Sequence, residues 1–225
     1  MNAPAPVAIK KVFRRTHDPI WQLQIGVVAI MILQYFTNSS FLPYDKFIIL
    51  TFEAIVLFML AIVTSDGYHR VSRARRALGM GLITMVAAIN IFSLIFLVEA
   101  LLFGDVNSFD GHDLLLNGMT IYITNIFMFA LLYWEMDGGG PDRRVASERQ
   151  RDFLFPQIIH KEVAKPDWLP GFMDYLYLST TNVTNFASAD TIPISHRAKF
   201  LMMIQALVSV VAVVLVAART IGVLQ

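Results

Sequence analysis

Long apolar segments constrain the fold of this chain more than any other feature. A helix that crosses a bilayer needs about 20 mainly apolar residues. Five segments of the 225-residue chain approach or exceed that length, and they are residues 20–37, 46–64, 78–103, 114–135 and 197–218. The composition agrees, because 56% of the residues are hydrophobic and only 16% are charged, against about 25% charged residues in soluble domains. We therefore expect an all-α polytopic membrane protein.

The composition also excludes several kinds of chemistry. The net charge of +1 gives no argument for a nucleic-acid partner. The absence of cysteine excludes disulfides, thiolate metal sites and a cysteine nucleophile. All five histidines lie outside the predicted spans, which argues against haem held between helices. Phosphate-binding glycine loops, metal-ligand spacings and Ser–His–Asp signatures are missing from the sequence, so we expect no cofactor, no metal site and no enzymatic activity.

The basic residues are distributed unevenly between the connecting segments. If the N-terminus is cytoplasmic, sixteen of the 18 lysines and arginines lie on that side, and only Lys46 and Arg219 fall outside. The loop 104–113 carries three aspartates and no basic residue. Because basic loops remain cytoplasmic, we predict an integral protein of a bacterial inner (cell) membrane with its N-terminus inside.

The predicted spans divide the chain into four parts. These are a cytoplasmic N-terminal segment (1–19), a four-helix transmembrane bundle (20–136), an amphipathic cytoplasmic linker (137–167) and a pore-like domain (168–225). The linker opens with Asp137 and three glycines, a break that no helix is expected to cross. Its apolar residues recur at near-helical spacing among charged ones, which predicts one or two helices lying on the membrane surface. A solvated linker is the alternative.

The pore-like domain begins with a helix too short to cross a membrane. Apolar and aromatic residues at 172–178 lead into the polar sequence STTNVTN at 179–185. At about 1.5 Å per residue, a helix over 170–184 cannot span a bilayer. Non-helical backbone at membrane depth must be buried in protein or line water. We therefore predict a re-entrant pore loop: a half-helix, an irregular segment at 185–194, and a full span capped by Ser195.

Residues 174–220 resemble the pore helix, selectivity filter and inner helix of tetrameric potassium-channel-type ion channels. The sequence DYLYLSTT at 174–181 is similar to the end of that pore helix. The sequence TNFASAD at 184–190 matches the position and rhythm of the signature TVGYGD, and Pro193 matches the proline that follows it. The filter-like loop comprises Thr184, Asn185, Phe186, Ala187, Ser188, Ala189 and Asp190. The resemblance implies a homotetramer in the lipid bilayer with a permeant cation.

The filter-like loop departs from the signature at both glycines. Ala187 and Ala189 stand in their places, and Ser188 replaces the tyrosine. The left-handed backbone conformation costs an L-residue about 1–2 kcal/mol, so we expect poor discrimination between potassium and sodium. Asp190 remains at the aspartate of the signature, and four copies around an axis would form an acidic ring that favours cations. Without a permeation path, the same segment would be a packing hairpin.

One face of the last predicted span is smaller and more polar than the rest. Gln205, Ser209, Ala212 and Val216 follow an i, i+4, i+7, i+11 spacing that places them on this face. In a tetramer the face would line a pore. In the alternative interpretation it is a small-residue contact between helices, as membrane bundles commonly use.

Three charged residues are predicted at membrane depth or near the ends of spans. Glu53 lies within the second span among apolar neighbours, so its own helix offers it no partner. An intramembrane carboxylate is by default a functional hypothesis; a structural ion pair or a protonated side chain is the alternative. Glu99 lies near a span end, and Arg219 on the last span is a predicted partner for either glutamate.

Together these features predict five transmembrane helices plus one re-entrant half-helix. The predicted function is a passive, cation-preferring ion channel of potassium-channel-like fold with an atypical filter. Two alternatives remain open: a non-conducting structural or auxiliary membrane subunit that retains the pore fold, and a transporter centred on Glu53.

Overall fold

The computed structural model is almost entirely helical. It describes residues 21–36, 46–65, 73–102, 111–145, 150–160, 162, 164–165, 168–185 and 190–223. The first four helices are α1 (Trp21–Phe36), α2 (Lys46–Ser65), α3 (Arg73–Leu102) and α4 (Gly111–Met136). A 3₁₀ turn (Asp137–Gly139) follows, and then α5 (Pro141–Val145), β1 (Phe153–Leu154), α6 (Pro156–Ile159), α7 (Phe172–Thr184), β2 (Ile192–Pro193) and α8 (His196–Val223).

The helices confirm the all-α prediction. Each of the five predicted spans is helical, and every observed end lies within five residues of the predicted one. In the part of the chain that the structure describes, three helical stretches are long and apolar enough to cross a membrane: Arg76–Glu99, His112–Gly139 and His196–Leu215. A shorter apolar helix covers Gln24–Phe36. The outward faces carry large exposed apolar side chains, Phe58 and Leu207 among them, a surface that suits lipid better than water.

Helix α4 lies at the centre of the arrangement. It packs against α1 and α3, which precede it in the chain, and against α7 and α8, which follow it. Helix α2 packs against α1 and α3. Its last two turns supply the largest fully buried side chains, Tyr133 and Trp134. The predicted bundle (20–136) and the predicted pore-like domain (168–225) therefore share one core through α4.

Segment 150–160 differs from the predicted surface helices. β1 pairs with β2 in antiparallel register, with Phe153 opposite Pro193, and α6 is a single turn. Phe153 is fully buried, and its ring centroid lies 5.1 Å from that of Tyr133 and 6.3 Å from that of Tyr175. Here a short strand and a single helical turn stand in place of the predicted surface helices; Phe153 packs against α4 and α7 and Phe155 against α7, whereas Ile159 is exposed.

Candidate functional site

Helix α7 is the short helix that the sequence predicts, and it is held between α4 and α8. It ends at Thr184, as predicted, and begins at Phe172, two residues later than predicted. The Asp174 carboxylate accepts a hydrogen bond from the Gly171 N–H at 2.8 Å, which satisfies a backbone donor at the helix start. One face is buried, and it consists of Phe172, Tyr175, Leu178, Ser179, Thr181, Asn182 and Val183. The opposite face exposes Met173 and Tyr177.

Contacts along α7 show that the chain enters and leaves the bundle at the same end. Tyr175, near the start of α7, contacts Asp137 at the end of α4. One turn later along α7, the Ser179 hydroxyl donates to the carbonyl of Ile126 on α4 at 2.7 Å. Ile126 lies eleven residues before Asp137, which corresponds to about 16 Å of helix. Beyond α7 the chain returns, because the Ile194 N–H donates to the carbonyl of Asp152 at 2.8 Å. Helix α8 then starts from the end at which α7 began.

A buried polar network fixes the second half of α7 against α4 and α8. The Gln205 side chain lies at its centre and is fully buried. Its Oε1 accepts hydrogen bonds from Tyr133 Oη at 2.7 Å and from Asn182 Nδ2 at 2.9 Å. Its Nε2 donates to Ser179 Oγ at 2.6 Å. Both ends of this amide are therefore satisfied by protein groups, as buried polar groups require.

The face predicted to line a pore is packed inside this chain. Gln205, Ser209 and Ala212 are at most 1% exposed. Asn125 Nδ2 on α4 donates to Ser209 Oγ at 2.7 Å, and Ala212 packs in a cluster that contains Ile121. In this arrangement the face packs against α4, which is the alternative interpretation of its spacing, a contact between helices. It faces α4 because these small and polar groups find their hydrogen-bond and packing partners there. The side chain of Val216 lies outside the described residues.

A buried ionic cluster joins the start of α7 to the end of α4. Tyr175 Oη donates to Asp137 Oδ2 at 2.6 Å, and Arg144 Nη1 donates to the same phenol oxygen at 2.8 Å. The Arg144 nitrogen lies 3.6 Å from Asp137 Oδ2 and also donates to the carbonyl of Trp134 at 3.0 Å. The three side chains that form the cluster are at most 3% exposed. The positive and negative charges therefore compensate each other away from water.

Asp152 connects the segment before β1 and the start of α8 to this cluster. Its N–H donates to Asp137 Oδ1 at 2.6 Å. Its carboxylate forms a bidentate pair with Arg197, with Nε–Oδ1 at 2.6 Å and Nη2–Oδ2 at 2.7 Å, the strongest geometry for such a pair. Gly138 donates its N–H to Asp152 Oδ2 at 3.3 Å and has a φ of 61°, a conformation that favours glycine. The carboxylates of Asp137 and Asp152 and the guanidinium groups of Arg144 and Arg197 thus join the end of α4, α5, the segment before β1 and the start of α8.

The filter-like loop is only partly described. Thr184 and Asn185, at the end of α7, and Asp190 are exposed, and Thr184 Oγ1 donates to the carbonyl of Thr180 at 2.9 Å. The predicted loop residues Phe186, Ala187, Ser188 and Ala189 lie outside the described residues. Asn182, two residues before the end of α7, and Asn125 on α4 both donate to Gln205, so the exposed end of α7 lies beside the middle of α4.

The three predicted intramembrane charges are not brought together in the described part of the chain. Glu53 is fully buried, and its Oε1 accepts a hydrogen bond from Gln34 Nε2 at 3.3 Å. Glu99 is exposed near the end of α3. The side chain of Arg219 lies outside the described residues, so its predicted pairing with either glutamate falls there too. Among the residues described, no group of three or more metal-ligating side chains comes together.

Sequence reasoning missed the residues that hold α7 in place. The sequence places Asp137, Arg144 and Asp152 in the linker and Tyr133 and Asn125 within the fourth span, and it does not mark them as partners of α7. One signal was present: three consecutive glycines at 138–140, all with positive φ, mark a turn tight enough to bring α5 back onto the end of α4. Some partners lie far apart along the chain: 31 residues separate Arg144 and Tyr175, 72 separate Tyr133 and Gln205, and 84 separate Asn125 and Ser209.

No protein-family model, curated protein or solved structure matches the chain. A function therefore has to follow from the contacts of this chain. Those contacts divide the polar groups of α7 into two sets. The buried set is used to hold the helix in place, whereas Thr184 and Asn185 at its end are exposed, as is Asp190 five residues further along the chain.

Proposed function

We propose that this protein is a passive, cation-preferring channel in which several copies surround a path lined by the ends of their α7 helices. The observation that carries the proposal is the exposed polar end of α7. The chain enters the bundle with α7 and returns to the same end of the bundle before α8 begins. Backbone that is not helical at membrane depth must be covered by protein or face water. One copy of the chain leaves Thr184 and Asn185 uncovered, so further copies and a water-filled path would complete the structure.

In this proposal five helices cross a bacterial inner membrane, and α7 is re-entrant. The N-terminus lies inside, since sixteen of the 18 basic residues then face the cytoplasm. Helix α4 runs inward to Asp137, α7 enters from the cytoplasm, and α8 runs outward. The ionic cluster of Asp137, Arg144 and Tyr175, together with Asp152, then lies at the cytoplasmic boundary, where charged groups are least costly.

Cation preference comes from the end of α7 and not from α8. The C-terminal end of a helix carries partial negative charge, and exposed Asp190 lies just beyond it along the chain. In a homotetramer of potassium-channel-like fold, four such ends and four carboxylates would surround the path. Because Gln205 and Ser209 are committed to α4 and α7, they contribute support and not lining.

A second function is favoured by the same buried network. All the hydrogen bonds of the Gln205 amide are made within one chain, so the bundle is complete without water beside α8. A non-conducting structural subunit that retains the pore fold would look the same in this region. The two functions differ only in whether the path at the end of α7 is open.

Ion flux through purified protein in liposomes separates the two functions. We expect cation flux with similar reversal potentials for potassium and sodium, and a lower cation-to-anion permeability ratio in Asp190→Asn. The matched control is Glu162→Gln, which also removes one exposed negative charge but lies in the predicted cytoplasmic linker. Absence of flux from folded oligomers would support the structural subunit, and strong potassium selectivity or anion preference would contradict the proposed path.

The proposed orientation has its own test, because the chain contains no cysteine. A single cysteine at His112, which is exposed at the start of α4, is expected to react with an impermeant thiol reagent in intact cells. A single cysteine at Gln150, exposed after α5, is expected to react only after the cells are opened. The reverse pattern would show that α7 enters from outside.

A further inference from the structure

The contact between α1 and α2 contains a carboxyl group and an amide that lie in the interior of the chain. Glu53 is fully buried and Gln34 is 4% exposed. Gln34 Nε2 donates to Glu53 Oε1 at 3.3 Å. The two remaining atoms of these groups, Gln34 Oε1 and Glu53 Oε2, are buried and have no hydrogen-bond partner in the part of the chain that the structure describes. Buried polar atoms without partners are rare in proteins and require an explanation.

Both unpartnered atoms are oxygens, which accept hydrogen bonds. An ionised carboxylate has no hydrogen to donate and therefore cannot satisfy the Gln34 oxygen. We propose that Glu53 binds a proton on Oε2 and, as a neutral carboxylic acid, forms a closed pair with the Gln34 amide. The proton supplies the donor that Gln34 Oε1 lacks, and the amide continues to donate to Glu53 Oε1. A single proton thereby satisfies both atoms.

The inference does not depend on how the amide of Gln34 is oriented. Oxygen and nitrogen of an amide are assigned and not observed. If the two were exchanged, the Gln34 oxygen would face the Glu53 oxygen, and two acceptors would again need a proton between them. Either orientation leads to a protonated Glu53.

Among the described residues, the helices that pack against α2 provide no charge to balance an ionised Glu53. Helix α2 packs against α1 and α3. Residues 21–36 of α1 contain no charged residue, and α3 contains none between Arg76 and Glu99. On α2 itself the nearest cation is Lys46, about 10 Å away along the axis, and its Nζ donates to the carbonyl of Tyr35 at 3.3 Å.

This proton site lies between α1 and α2, two helices that supply none of the residues of the proposed path. Loss of the proton would leave a buried carboxylate with one hydrogen bond in apolar surroundings, which is unfavourable. Proton release would therefore loosen the contact between α1 and α2. The site takes one proton per chain and makes this contact sensitive to alkaline pH.

Infrared difference spectroscopy of the full-length protein in lipid tests the proposal. We expect wild type at neutral pH to show the carbonyl band of a protonated carboxylic acid that is lost in Glu53→Gln and retained in Glu99→Gln, a control in which the carboxylate is exposed. The band should also disappear from wild type on alkaline titration, which provides the test if Glu53→Gln does not fold. Equal spectra for wild type and Glu53→Gln, or no such band in wild type, would overturn the proposal.

A small metal cation is the competing ligand for two carbonyl-type oxygens. Thermal unfolding of the full-length protein in sodium and in choline salts, at equal ionic strength, distinguishes it from a proton. We expect the same midpoint in both salts. A midpoint that rises with sodium in wild type but not in Glu53→Gln would assign the site to a metal cation and overturn the assignment to a proton.

Discussion

Two buried amides of this molecule, Gln205 and Gln34, differ in how completely they are paired. Between α4, α7 and α8, the Gln205 amide uses both its oxygen and its nitrogen. Between α1 and α2, Gln34 and Glu53 share one hydrogen bond, and among the described residues one oxygen of each has no partner. Since an unmade buried hydrogen bond costs more than a made one contributes, the first amide specifies a structure and the second contact indicates a missing ligand.

The largest effect is expected in the ionic cluster at the end of α4. Arg144→Met leaves Asp137 buried and without its compensating charge, which destabilises a protein by about 3–5 kcal/mol. Unfolding in detergent can be followed by the fluorescence of Trp134, whose carbonyl accepts a bond from Arg144. Arg143→Met is the matched control, because Arg143 is its half-buried neighbour. Equal stability of the two variants would mean that the charges in the cluster are solvated.

A smaller loss is expected when Gln205 is replaced. Gln205→Leu removes the partners of Tyr133, Asn182 and Ser179, and we expect about 2–3 kcal/mol of destabilisation because a buried unsatisfied group costs about 1–3 kcal/mol. Gln150→Leu, at an exposed position, is the control and should lie within about 0.5 kcal/mol of wild type. The variant also tests whether the face of α8 that carries Gln205 and Ser209 lines a pore. If it did, Gln205→Leu would change ion flux and leave the free energy of unfolding unaltered.

The comparison also shows which parts of the fold could be predicted from the sequence. Helix positions follow from local hydropathy, so α7 and the five long helices are where the apolar runs place them. The cap of α8 was equally local, and Ser195 Oγ accepts the Ala198 N–H at 3.2 Å. These features need only neighbouring residues.

Tertiary partners could not be predicted in the same way. The face of Gln205 and Ser209 was identified by its spacing, but spacing does not say whether water or α4 lies opposite. Arg144 counts as one more cytoplasmic charge until the glycine turn is known to fold it back onto Asp137. Glu53 was identified as buried, yet its partner Gln34 lies on another helix, 19 residues away.

The smallest change in stability is expected at the contact between Gln34 and Glu53. Glu53→Gln replaces a carboxylic acid by an amide of nearly the same shape. If Glu53 is neutral, the variant can make the same two hydrogen bonds to Gln34, and we expect the free energy of unfolding to change by less than about 1 kcal/mol below about pH 4, where the carboxyl is neutral in both the folded and the unfolded chain. As pH rises above that value, unfolded wild type releases the proton that folded wild type keeps, so wild type loses stability and the variant should become the more stable of the two. Glu99→Gln, measured alongside it, should follow wild type at every pH. A loss of several kcal/mol in Glu53→Gln at neutral pH would show that Glu53 is ionised and paired with a cation, and no proton would then be missing from this contact.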